Sequence, residues 1–150
     1  MLETFKPLID AAAGVDLTDP AAARATLTSR LDPASETGQR LSEALVALLE
    51  AGQVADRGAP PVRYSRAAKA TEATADFSID VVDMTGPGPR HRHPNGEVNW
   101  CVALEGEPTF DGQPAGWVVE PPDSEHVPTV EGGRMLIVYL LPGGAIEFAA

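Results

Sequence analysis

His91-Arg92-His93-Pro94-Asn95-Gly96-Glu97 places two imidazoles and a carboxylate where one turn of chain can bring them to a single metal ion. In an extended strand alternate side chains share a face, so His91 and His93 project side by side with Cα atoms about 6.6 Å apart. Arg90 and Arg92 then point the other way. With Asn95-Gly96 as a two-residue turn, Glu97 would sit opposite the histidines; with Pro94-Asn95-Gly96 as a three-residue loop closed by a left-handed Gly96, it faces them. The second register is the expected one, as a hairpin pairing His93 with Glu97 and His91 with Asn99.

The elements that must hold these residues fall into two groups. Up to about Gly52 the chain reads as helical. Leu2, Phe5, Leu8 and Ile9 recur at helix spacing, Asp19-Pro20 and Asp32-Pro33 look like N-cap plus N1 proline, and Leu41, Leu45, Leu48 and Leu49 form an apolar stripe. Gly58-Ala59-Pro60-Pro61 cannot continue a helix, and the expected division is a helical segment over 1–57 and a β-barrel over 58–150. After this boundary β-branched and aromatic residues stand between Gly, Pro and Asp at short intervals, the signal of an all-β sandwich or barrel. Expected strands are Val62–Arg66, Phe77–Met84, Arg90–His93, Glu97–Leu104, Gly116–Glu120, His126–Val130, Arg134–Leu141 and Ala145–Phe148.

Along Glu97–Leu104 the histidine face carries Asn99, Cys101 and Ala103, all small or polar, which suggests a cavity. The opposite face carries Val98, Trp100, Val102 and Leu104 and must be covered, by the helices or by a second subunit. A homodimer is expected on that ground. Trp100 and Trp117 read as packing residues, Cys101 as a small buried filler, and Glu125 as pointing out of the barrel.

With 22 Asp and Glu against 11 Lys and Arg, the net charge of −11 repels phosphate backbones, so nucleic acid and anionic membranes are unexpected partners. Met1–Lys6 lacks a basic segment followed by an apolar run, and no apolar stretch approaches the roughly 20 residues that span a bilayer. A single cysteine excludes an internal disulfide and agrees with a reducing compartment. The expected location is cytoplasmic, and the expected partner a small-molecule substrate.

These motifs resemble those of the cupins, small jelly-roll (double-stranded β-helix) barrels with two short metal-binding motifs. His91, His93 and Glu97 stand at the ligand positions of the first. Gly116, Pro121 and His126 follow the second, with Asp123 where the turn glycine belongs, a residue that tolerates left-handed backbone. The resemblance implies that His126 is the fourth ligand. It also implies a mainly β cupin-type barrel with an N-terminal helical segment, and a divalent ion: Fe, Mn, Ni, Cu or Zn all suit imidazoles plus a carboxylate. Four protein ligands on an octahedral ion leave two positions open, which favours an enzyme.

More narrowly, His-Arg-His-Pro-Asn-Gly-Glu-Val-Asn, then Ala-Gly-Trp, Pro-x-x-Ser-x-His-x-Pro, Gly132-Gly133 and a closing Leu-Leu-Pro-Gly-Gly resemble the 4-hydroxylaminobenzoate lyase family. That resemblance implies conversion of an aryl hydroxylamine into a catechol acid and ammonia, with His91, His93 and Glu97 catalytic and Glu97 either a ligand or a general base. Asn99, Arg134 and Tyr139 are the expected substrate contacts, Arg134 as a carboxylate clamp and Tyr139 as a buried phenol or proton donor. A cupin dioxygenase or isomerase on another small acid, and a non-catalytic ligand-binding cupin, are the alternatives.

Overall fold

The change of period near residue 57 is a change of architecture in the computed structural model, which describes residues 1–149. Three helices, α1 (Leu2–Ala12), α2 (Pro20–Arg30) and α3 (Glu36–Glu50), precede ten strands. Asp19 caps α2, its carboxylate accepting from Ala22 N at 3.2 Å, with Pro20 in the first turn. The start expected at Asp32-Pro33 moves to Ser35, whose Oγ accepts from Gly38 N at 3.1 Å. Asp32 Oδ1 instead accepts from Ala34 N, two residues on, which turns the chain before the helix begins.

The strands are β1 (Arg57–Ala59), β2 (Val62–Ala68), β3 (Phe77–Pro87), β4 (His91–His93), β5 (Glu97–Phe110), β6 (Gln113–Pro114), β7 (Gly116–Glu120), β8 (Ser124–His126), β9 (Thr129–Pro142) and β10 (Glu147–Phe148). A large antiparallel sheet runs β1-β2-β3-β9-β5-β6 with β7 also on β5, and a small one runs β10-β4-β8. This is the mainly β, jelly-roll arrangement expected. The strand expected over 126–130 is interrupted at Val127-Pro128, where the chain leaves the small sheet for the large one, and β5 runs six residues past Leu104.

The hairpin pairing His93 with Glu97 does not form as a ladder. His91 and His93 pair with His126 and Ser124 of β8, whereas Glu97 pairs with Glu120 of β7. The three-residue loop is nevertheless present: Gly96 N donates to His93 O at 3.2 Å, and Gly96 has φ +84°. It carries the chain from one sheet to the other, so the candidate ligands meet across the barrel rather than along a hairpin.

The outer face of the large sheet is covered by the helices. Trp100, Leu136, Val138 and Leu140 pack in one core with Phe5, Leu8, Leu27 and Leu45, each such side chain contributing about 1.5–3 kcal/mol by leaving water. The face that raised the possibility of a second subunit is thereby covered within the chain. Trp100 and Trp117 meet edge to face at 4.9 Å, and both indoles are satisfied, by Ser42 Oγ and Leu31 O. Between the sheets a second core holds Met84, Cys101, Phe110, Val118, Met135 and Ile137. No described helix is long and apolar enough to cross a membrane.

Candidate metal centre

Antiparallel pairing of β4 with β8 sets His91 opposite His126, and the strand period puts His93 on the same face as His91. Asp123 supplies the turn that starts β8: its φ is +65°, and its N–H donates to His93 O at 2.8 Å. This is the position where the second motif calls for glycine. Arg92 lies on the outer side, paired with Asp123 and Glu147, and Arg90 pairs with Glu125 at 2.7 Å. Neither arginine enters the site.

The donor atoms converge. His126 Nε2 lies 2.9 Å from His93 Nε2 and 2.9 Å from His91 Nε2, and Glu97 Oε2 is 4.0 Å from His91 Nε2 and in close contact with His93 Nε2. Two nitrogens each about 2.1 Å from one ion at near right angles would stand about 3 Å apart. His91, His93 and Glu97 are buried, and His126 nearly so.

Hydrogen bonding on the far side of the rings fixes which nitrogens are free. His91 Nδ1 faces Pro89 O at 3.0 Å, and a carbonyl only accepts, so this nitrogen carries the proton. His126 Nδ1 faces Asp111 Oδ2 at 2.6 Å and donates to it. Both Nε2 atoms of the neutral rings are therefore lone pairs directed at one point. One proton can bridge a single pair; a cation satisfies all four groups together. Glu97 points the same way, for both its oxygens are buried without a hydrogen-bond donor, a costly state for a carboxylate that no cation faces. The residues present fit a divalent ion.

Burial pushes the His91 imidazolium down to about 4 against the opposing pull of Glu97, so the ring is a neutral donor at pH 7. For His126 burial acts downward too, but the Asp111 hydrogen bond and the charges of Glu97, Asp111 and Glu120 outweigh it and raise the ring. Glu120, 3.9 Å from His126 Nδ1, is raised by burial and by the neighbouring carboxylates.

Asp111 and Glu120 were not anticipated from sequence. Asp111-Gly112 carries the signal of a two-residue hairpin turn, with φ +49° and +80°, and joins β5 to β6. Nothing in that dipeptide announces a carboxylate behind a histidine.

A cavity of about 670 Å³ adjoins the centre, with His91, Glu97 and Tyr139 in its wall beside Met84, Leu141 and Phe148. It opens on the β2, β3 and β10 side; the space above Cys101 is filled by core. Tyr139 is buried there, as expected. Asn99 is fully buried in the row beside Tyr139, with both amide atoms unpartnered, and is not part of the cavity wall. Arg134 is not brought to the site: strand parity puts it on the outer face with Leu136, where Asp83 holds Nε and Nη2 at 2.7 Å and Glu105 holds Nη1 at 2.9 Å.

The family model for 4-hydroxylaminobenzoate lyase (PnbB) matches residues 8–148. The chain belongs to this family. A 4-hydroxylaminobenzoate lyase of Pseudomonas putida is 31% identical over 140 residues, covering 81% of this chain and 80% of that protein. Another of that name from Nocardioides sp. (strain LMS-CY) is 35% identical over 97 residues, 59% of this chain and 57% of that protein. Among solved structures, an RmlC-like cupin protein of Ralstonia eutropha JMP134 aligns with a TM-score of 0.46 at 14% identity, covering 61% of this chain and 62% of that one. The family match covers the helical segment from residue 8 and every residue of the centre.

Proposed function

We propose that this chain is a metal-dependent lyase that converts 4-hydroxylaminobenzoate and water into 3,4-dihydroxybenzoate and ammonia. The observation that carries the reading is the convergence of three imidazoles and Glu97, beside an apolar cavity, in a member of this family. The reaction balances without oxygen or an external reductant. The N–O bond breaks, the nitrogen leaves the ring as ammonia, and two ring carbons end with hydroxyls. Nitrogen is reduced by two electrons as the ring is oxidised by two.

His91, His93, His126 and Glu97 would hold the ion, whose identity among Fe, Mn, Ni, Cu and Zn the donor set leaves open. When bound, the cation supplies Lewis acidity at the N-hydroxyl end of the substrate. Glu97 serves as a ligand rather than a base in this reading, because its Oε2 faces the same point as the imidazole Nε2 atoms. Tyr139, whose phenol burial keeps protonated, offers an O–H from the cavity wall. Glu120, raised by burial, stands 3.9 Å from His126 Nδ1. Val82, Met84 and Leu141 offer the ring an apolar wall. A cytoplasmic location and a homodimer complete the reading, the dimer without the β5 face as its ground since the helices cover it, and light scattering tests it.

The deciding experiment is an anaerobic incubation of metal-analysed protein with 4-hydroxylaminobenzoate. Equimolar ammonia and 3,4-dihydroxybenzoate are expected, lost in His91→Ala with the fold retained. Product formation that requires oxygen would replace the lyase with a dioxygenase.

A further inference from the structure

We infer that Arg66, with Arg57 beside it, forms a carboxylate-binding subsite at the end of the cavity away from the metal ligands, and so selects aromatic acids. This rests on the lyase reading, since it assigns the acid end of that substrate.

Four observations carry it. Among the described residues, Arg57 and Arg66 are the only lysine or arginine side chains in the cavity wall, in a chain whose net charge is −11. Cross-strand register puts both on the sheet face that carries Tyr139, at the exposed rim of the cavity: Arg57 pairs with Tyr64 and Arg66 with Asp80, and Asp80 pairs in turn with Tyr139. The same row ends at Asn99 on β5, so Arg66 and Glu97 sit three strands apart, about 14 Å across the strands at about 4.8 Å each and about 7 Å along β5. A rigid, apolar ligand with polar groups at opposite ends suits that separation.

The third observation concerns the guanidinium. Asp80 takes Nε at 2.8 Å and Nη2 at 3.3 Å and is itself steadied by Ser78 Oγ at 3.0 Å. This fixes the plane of the fork without consuming it, because a guanidinium has five donors and Nη1 keeps its own. Fourth, the residue over Nη1 is Gly144, at φ +71°, where an added Cβ would lie 3.8 Å from that nitrogen; with no side chain there, the edge stays open. Arg57 forms no ion pair among the described residues, so two cations face one carboxylate at this end. Arg134, the clamp expected from sequence, is occupied on the outer face.

The test compares binding of 4-aminobenzoate and of aniline, which lacks the acid, to metal-loaded protein by calorimetry. Wild type is expected to prefer the acid by about tenfold to a hundredfold, the range for a charge-assisted hydrogen bond. Arg66→Met should erase the preference while leaving aniline binding in place. Arg66→Lys should keep part of it, since a point charge does not reproduce the fork. In turnover, R66M should raise KM for 4-hydroxylaminobenzoate with little change in kcat and leave phenylhydroxylamine unaffected.

Equal weakening of both ligands, or an unchanged preference in R66M, would overturn the subsite. Should R66M fail to fold, R66K decides: a reduced preference for the acid supports the proposal and an unaltered one rejects it. Absence of turnover in wild type would sink the lyase reading, while the binding comparison would still decide the role of Arg66.

Discussion

Asp111 Oδ2 lies 2.6 Å from His126 Nδ1, on the side of the ring turned away from the other imidazoles. The carboxylate selects the tautomer that leaves Nε2 as a lone pair, and a ligand ring held this way is a stronger donor. Asp111→Asn should therefore lower Co(II) affinity by about tenfold to a hundredfold, measured by competition with a chelator. Asparagine accepts the left-handed backbone of this turn, so the fold should persist. Unchanged affinity would mean that β8 alone orients the ring.

Arg134 separates the sequence expectation from the structure. Its bidentate pair with Asp83, whose side chain is 8% exposed, ties β9 to β3 on the outer face. Arg134→Ala should cost about 2 kcal/mol in urea unfolding, less than a wholly buried pair because the arginine side chain is 37% exposed. KM for 4-hydroxylaminobenzoate should not move. A large KM change with intact stability would restore Arg134 as a substrate contact.

The residues of the candidate centre were legible because their types are rare here: the chain has three histidines, and all three meet at one point. The outer face of β5 was legible from its alternation, since a two-residue period says which side chains share a side. Partner strands were not. His93 and Glu97 are four residues apart and in contact, yet the hairpin inferred from that closeness is a crossing between sheets, because spacing constrains distance and not which edge a strand pairs with. Arg134 escaped for a related reason: β9 is apolar on both faces, so its parity could not be assigned without its register against β5 and β3. Arg66 and Asp80 carry no motif, and only the sheet order brings them to the cavity.

Alkaline stability follows from two buried acids. Burial raises the Cys101 thiol well above its ordinary 9.0 and the Tyr139 phenol well above 10.0. The folded state thus keeps protons that the unfolded chain releases. Their contribution is whole below pH 9 for the thiol and below pH 10 for the phenol, and is lost as pH rises from there towards the folded values. Each group steepens the fall by up to about 1.4 kcal/mol per pH unit. Tyr139→Phe should flatten the decline in urea stability between about pH 10 and 11; a slope equal to wild type would show that the phenol titrates normally. By the same burial, Cys101 should resist iodoacetamide until the protein unfolds.

Gly96 is where backbone geometry and the metal centre meet. Its φ is +84°, and a Cβ there would come within 2.9 Å of Glu120 O and 3.1 Å of Leu17 Cδ1. Alanine would meet both the conformational penalty and the clash, costing about 2 kcal/mol or more. The turn it closes runs from His93 to Glu97, so relief of the clash must shift one ligand against the other. Gly96→Ala should therefore lower both the melting temperature and Co(II) affinity. Gly52→Ala supplies the comparison, since Gly52 has φ +71° with no atom within 4 Å of an added Cβ and follows α3, outside the centre. It should lose stability alone. Equal metal affinity in the two variants would show that the loop between β4 and β5 tolerates the strain without moving Glu97.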